Sequence, residues 1–133
     1  MQMNPYVSFK GDCAEAFQYY AEHLGGKTGE LFKYGGSPMA AQAPAGWDNK
    51  IMHGDITIGG TRLMGADVAP DQYEAPRGVS LSLNLTDEAE ADRMFAALSD
   101  GGRVIMPIEQ TFWAKRFGVV TDRFGLQWLI NCE

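Results

Sequence analysis

The chain alternates hydrophobic and polar residues in short runs, and two stripes of helical period interrupt them. From Pro5 to Phe9, Val7 and Phe9 face one way and Tyr6 and Ser8 the other, which is the period of a strand. Cys13, Phe17, Tyr20 and Leu24 then recur at helical spacing, and Gly25-Gly26 ends the stripe. A short strand from Lys27 to Phe32 follows. Two more run from Lys50 to Ile58 and from Thr61 to Ala66, turned by Gly59-Gly60. Val79, Leu81, Leu83 and Leu85 alternate with Ser80, Ser82 and Asn84, and Ala91, Met94, Phe95 and Leu98 form a second helical stripe closed by Gly101-Gly102. A strand near Arg103 to Ile108 leads to a closing hairpin within Phe112 to Asn131. There Asp122-Arg123-Phe124-Gly125 supplies the turn.

Strand, helix, double glycine and three strands therefore occur twice. The repeat predicts an α+β fold of two tandem βαββ(β) modules in one domain, residues 1–133. Module one is residues 1–67, a linker covers 68–78 and module two is residues 79–133. The stretch from Asp67 to Gly78 has linker composition, with two prolines and several polar residues. Both helices are expected to open on a capping box, Asp12-x-x-Glu15 and Asp87-x-x-Glu90. Gly35 to Asn49 is rich in Gly, Ala and Pro and lacks a period. It reads as a long mobile loop, either a lid in which Trp47 touches a ligand or a slack surface excursion.

The apolar strand faces belong under the helices, and the polar faces are left to curl around a shared concave pocket. Alternation assigns to that pocket Tyr6 and Ser8; His53, Asp55 and Thr57; Ser80, Ser82 and Asn84; and Gln127, Leu129 and Asn131. His53 and Asp55, two apart on one strand, are the candidate catalytic pair. His53 would be a base or substrate contact oriented by Asp55, or a structural histidine in a polar concavity. Trp113 could stack on a ligand while Lys115 or Arg116 grips an anion, or these residues fill an interface and meet solvent.

The combination Phe112-Trp113, Phe117-Gly118, Asp122-x-Phe124-Gly125 and Trp128 resembles the PhnB-like branch of the vicinal-oxygen-chelate superfamily, which includes glyoxalases, bleomycin-resistance proteins and extradiol dioxygenases. Pro5-Tyr6-Val7-Ser8-Phe9-Lys10-Gly11, Glu15-Ala16-Phe17 with Tyr19-Tyr20, Leu24-Gly25-Gly26, and His53 with Ile58-Gly59-Gly60, Leu63-Met64 and Asp67 carry the likeness along the chain. It implies the tandem-module fold and a homodimer. Relatives with chemistry bind a divalent metal through His or Glu on the first and last strands of each module. Here those places hold Met3, Asn4, Pro5 and Tyr6; Leu63, Met64 and Gly65; Ser80; and Leu129, so no metal site and no cofactor are expected. A methyltransferase label attached to this branch finds no Gly-rich cofactor loop after the first strand.

Charge and composition narrow the partners. A net charge of −6 speaks against a general grip on nucleic acid or anionic lipid. No apolar run of about 18 residues exists, and the N-terminus has no leader pattern, so the cytoplasm is the expected location. Cys13 and Cys132 are too few for a disulfide framework. Cys13 is either an activated thiol at a helix start or a small buried residue. Three functions follow: a binder or enzyme acting on a small polar molecule between the modules, a sequestering drug-resistance-type protein, or a metal-dependent lyase or dioxygenase centred on His53.

Overall fold

A computed structural model describes all 133 residues, Met1 to Glu133. The chain divides into two compact units, Met1–Glu74 and Ala75–Glu133. In the first, β1 (Tyr6–Phe9) leads into α1 (Cys13–Leu24), followed by β2 (Lys27–Lys33), β3 (Ile51–Ile58) and β4 (Thr61–Asp67). In the second, β5 (Leu81–Leu85), α2 (Glu88–Ser99), β6 (Arg103–Glu109), β7 (Arg116–Thr121) and β8 (Gln127–Cys132) repeat the order. Each unit holds a four-stranded sheet, β1-β4-β3-β2 and β5-β8-β7-β6, with one parallel pair, β1 with β4 and β5 with β8. This is the α+β architecture of two βαβββ modules that the repeat predicts.

Each helix buries its apolar stripe on its own sheet. Cys13, Ala16, Phe17, Tyr20 and Leu24 of α1 are buried, and Phe17 meets Phe9 of β1 edge to face at 5.7 Å between ring centroids. Burying side chains of this size contributes about 1.5–3 kcal/mol each. The helix lies close to the strands because a Cβ on Gly65 of β4 would stand 3.0 Å from the Phe9 ring and 3.2 Å from that of Phe17. In the second unit, Ala91, Phe95 and Leu98 of α2 are buried, as are Trp128, Ile130 and Cys132 of β8. Gly25 ends α1 in the left-handed conformation at φ 70°, which glycine adopts without steric cost.

Several expectations are corrected. Asp12 makes no side-chain cap on α1, and its Oδ1 is buried without a partner. The helix start is held instead by Asp67, whose Oδ1 accepts from the amides of Gly11 at 3.0 Å and Cys13 at 2.9 Å. Its Oδ2 accepts from the Ile51 amide at 2.8 Å. Asp67, assigned linker composition, is thus the last residue of β4 and is 1% exposed. Asp87 does accept from the Glu90 amide at 3.2 Å, while the Glu90 carboxylate turns to Arg93 rather than back to the cap. Strand β5 begins at Leu81, leaving Val79 and Ser80 outside it.

The 35–49 segment is knit by its own hydrogen bonds. Tyr34 N donates to Lys50 O, Gly35 N to Asp48 O and Lys50 N to Trp47 O, closing the base. A 3₁₀ turn at Ala40–Gln42 shapes the far side. Backbone polar groups that find partners within a segment give it a defined shape.

Candidate functional site

The register of the first sheet puts a set of predicted residues on one face. Tyr6 of β1 lies beside Met64 of β4, and Met64 beside Asp55 of β3, while His53 lies beside Phe32 of β2. With a period of two along each strand, this is the face opposite the buried Phe9, Ile56 and Leu63. Two contacts organise it. Tyr6 Oη and His53 Nδ1 stand 3.1 Å apart, and their rings tilt at 32° with centroids 5.6 Å apart. Phe32 stacks near His53 at 6.3 Å and 27°. The result is a partly exposed aromatic surface with a phenol–imidazole pair in it.

Asp55 lies elsewhere in this arrangement. Its Oδ2 accepts from Arg62 Nε at 2.9 Å and Nη2 at 2.6 Å across the β3–β4 hairpin. The geometry pairs His53 with Tyr6 and Asp55 with Arg62, in place of the His53–Asp55 pair that alternation suggests. Two residues apart on a strand places side chains on one face about 6.6 Å apart, too far for direct contact without a reach along the strand. The carboxylate is mostly buried and the guanidinium half-exposed, with side-chain exposures of 12% and 47%. The pair cancels in charge. Burial holds the Tyr6 phenol above its ordinary pKa, with Cys13 and Tyr34 adding to the effect, so it keeps its proton through neutral pH. Ser8 and Thr57 lie on the same strands, Ser8 half-buried and Thr57 exposed.

The remaining candidates fall in the second unit. Gln127 Nε2 donates to Ser80 Oγ at 2.6 Å, and Asn131 Nδ2 to Asn84 Oδ1 at 3.4 Å and Glu133 Oε1 at 3.1 Å. Ser82 Oγ accepts from Asn84 Nδ2. These polar residues form a ladder across β5 and β8 and partner one another. Trp128 is core, whereas Trp113 is 48% exposed, edge-on to Phe112 and Phe117. Lys115 Nζ donates to the Glu133 carbonyl, and Arg116 pairs with Asp92 at 3.0 Å. Arg116 is thereby tied to α2.

No group of three or more His, Cys, Asp or Glu side chains is arranged to hold a metal ion. His53 and Asp55, the donors nearest the first sheet's open face, are each engaged by another side chain. The residues present do not compose the His/Glu set of a vicinal-oxygen-chelate metal centre. Cys13 is fully buried, and burial, with the Asp67 and Asp12 carboxylates nearby, pushes its thiol far above the ordinary value. The thiol at the start of α1 is a packing residue.

The family model for 3-demethylubiquinone-9 3-methyltransferase matches residues 1–131. The chain belongs to that family. Protein YjdN of Escherichia coli is 35% identical over 139 residues, covering 98% of this chain and 95% of its own. Among solved structures, protein PA1353 from Pseudomonas aeruginosa is 47% identical with a TM-score of 0.89, covering 100% of this chain and 98% of that one. The PhnB protein from Bacillus cereus is 21% identical, with a TM-score of 0.85 and full coverage of both chains, and shares the fold. The two βαβββ modules are of the vicinal-oxygen-chelate fold type, as the resemblance implied. No helix is long and apolar enough to cross a membrane.

Sequence reasoning missed Phe32 and the Arg62 partner of Asp55. Phe32 was read only as the end of a strand. The Lys27–Lys33 pairing with β3 contains two register irregularities, so its facing residues do not follow from alternation. Arg62 carried a usable signal. A tight Gly59-Gly60 hairpin sets Thr57 opposite Arg62 and brings Asp55 within a diagonal of it.

Proposed function

We propose that this is a PhnB-like member of the glyoxalase superfamily that binds a small polar molecule on the open sheet face of its first unit, without the superfamily's usual metal set. The contact that carries this reading is Tyr6 Oη to His53 Nδ1 at 3.1 Å, beside the Phe32 ring. With the imidazole proton on Nε2, the phenol donates to Nδ1 and orients the ring. A polar group then finds a donor and acceptor next to an aromatic plate, the usual composition of a small-molecule site. Asp55, on the same strand as His53, is already compensated by Arg62 and is not free for a cation, which favours an uncharged polar ligand over a sequestered cationic drug. Methyl transfer from a nucleotide-like donor is not part of this reading. The β1–α1 connection is only Lys10-Gly11-Asp12, with no Gly-rich loop to cradle such a donor.

The test joins elemental analysis to ligand screening by thermal shift, using the native chain, Tyr6→Phe and His53→Ala. A ligand at about 100 times its Kd adds about 2.7 kcal/mol to stability, a readily measured shift. The expected outcome is a small polar compound that stabilises the native chain and loses most of that effect in both variants. Stoichiometric transition metal that disappears in His53→Ala would instead install the metal-dependent reading. The same proposal takes the protein as a cytoplasmic homodimer. Edge strand β6 supports pairing, since Val104, Ile105 and Met106 are 43–46% exposed, a surface that soluble chains usually cover. Sedimentation at equilibrium should give twice the chain mass, and Ile105→Lys should lower it.

A further inference from the structure

The segment between β2 and β3 does more than connect them. Together with the chain leaving β4 it borders an open cleft of about 210 Å³. Tyr34 and Trp47 stand at 5.8 Å between ring centroids, tilted by 58°, and form an aromatic corner. Met39, Gln42, Ala69 and Gln72 complete the walls, and no lining residue is charged. The lining does not include Tyr6, Phe32 or His53.

The corner is fixed by hydrogen bonds that its own residues and their neighbours make. Tyr34 Oη donates to the Asp67 carbonyl at 2.7 Å, which ties the ring to the end of β4. The base of the segment is tight: a Cβ on Gly35 would stand 2.8 Å from the Asp48 carbonyl oxygen, so the two arms come together only because residue 35 lacks a side chain. Ser37 Oγ donates to Tyr34 O and accepts from Met39 N, shaping the first turn. Inside the segment, Trp47 N donates to Pro44 O and Lys50 N to Trp47 O, setting the backbone that carries the indole.

We infer that this cleft is a second binding site, taking a neutral planar molecule of one or two rings with a hydrogen-bonding edge. Its size exceeds the roughly 150 Å³ that holds benzene in an apolar cavity, leaving room for a bicyclic heterocycle. The Tyr34–Trp47 corner offers two aromatic faces, which favours a flat ligand over an aliphatic one. Gln42 and Gln72 supply carboxamides, each able to donate and to accept, which suits an N–H or carbonyl on the ring edge. An anion or cation would meet no compensating side chain there and would lose hydration on entry. The inference does not depend on the ligand of the sheet face.

Indole is the probe, titrated into the full-length, isotope-labelled protein and followed by amide and Trp Nε1–H chemical shifts. Indole-3-acetate is the charged control. The expected result is saturable shifts at Trp47, Gln42, Gln72 and Ala69, with indole-3-acetate weaker by about tenfold, as the loss of one solvated charge would cause. Trp47→Ala removes one face of the corner, and Ala69→Phe fills the space without touching it. Both should weaken indole by about tenfold, while His53→Ala leaves it unchanged. Absence of saturation at Trp47, undiminished binding in Ala69→Phe, or shifts at Tyr6 and His53 in place of Trp47 would each overturn the proposal. A failure of the sheet-face reading appears separately, as undiminished stabilisation by its own ligand in Tyr6→Phe with the Trp47 signals unmoved.

Discussion

Asp67 gives the sharpest test of how the first unit is held together. Its carboxylate accepts three backbone amides, from Gly11, Cys13 and Ile51, at 2.8–3.0 Å, and its side chain has almost no access to water. Asp67→Asn keeps the shape while turning one oxygen into an NH₂ donor. The amide oxygen would settle on the side of Gly11 and Cys13, where two N–H groups converge, and the NH₂ would face the Ile51 N–H. One charge-assisted bond, contributing about 1.5–3 kcal/mol, is then lost, and two fall to the neutral strength of about 1 kcal/mol. The sum is a loss of about 2.5–7 kcal/mol. Asp67→Ala leaves all three amides unpaired and should lose more, about 4.5–9 kcal/mol. Urea unfolding at neutral pH measures both: with a slope near 2 kcal/mol/M, the Asn midpoint should fall by about 1–3.5 M. Hydrogen exchange supplies a local readout, since the Gly11, Cys13 and Ile51 amides should lose protection before the rest of the core. An Asn variant within about 0.5 kcal/mol of the native chain, or equal to Ala, would refute the staple.

Three further outcomes follow from the same structure. Gly118→Ala places a Cβ 2.6 Å from the Phe95 ring and 3.0 Å from the Ile108 backbone, so it should destabilise the second unit by about 1–3 kcal/mol in urea unfolding, whereas a cost below about 0.5 kcal/mol would show that α2 can move off β7. Both thiols are buried and Cys13 is held protonated by its surroundings, so a chromogenic disulfide reagent at pH 8 should label neither in the native state and both in denaturant; rapid native labelling of Cys13 would contradict this. Burial, with the Asp67 carboxylate nearby, raises the Tyr34 phenol, and a folded pKa above the unfolded one gives stability that is complete below about pH 10 and lost as pH rises through the folded value. Absorbance titration at 295 nm should therefore lose, in Tyr34→Phe, a component with a midpoint above 10, and a missing component centred below 10 would be the opposite result.

How much of this was legible beforehand depends on the range of the interactions involved. The two helices, the double glycines after them, the eight strands and their duplication follow from periods of 3.6 and 2 and from local turn chemistry, all within a few residues. Alternation also assigns Tyr6, His53 and the polar residues of β5 and β8 to particular faces, because a strand's face is a parity and parity is written in the chain. Which partner each of those side chains takes is a matter of register between strands. Tyr6 meets His53 across 47 residues, and only the parallel pairing of β1 with β4 and the antiparallel pairing of β4 with β3 brings them together. The cap on α1 makes the same point. Asp12 has the right identity and position, yet the amides are taken by Asp67, 54 residues from Cys13, which looked like the start of a linker. The segment that carries Trp47 stays open in the sequence between a lid and a slack excursion for a different reason: it has no period, and its shape comes from turn hydrogen bonds and from Gly35 passing close to Asp48. Local patterns determined the elements and their faces; the tertiary structure decided which polar groups satisfy one another, because that depends on distances the chain sets only when folded.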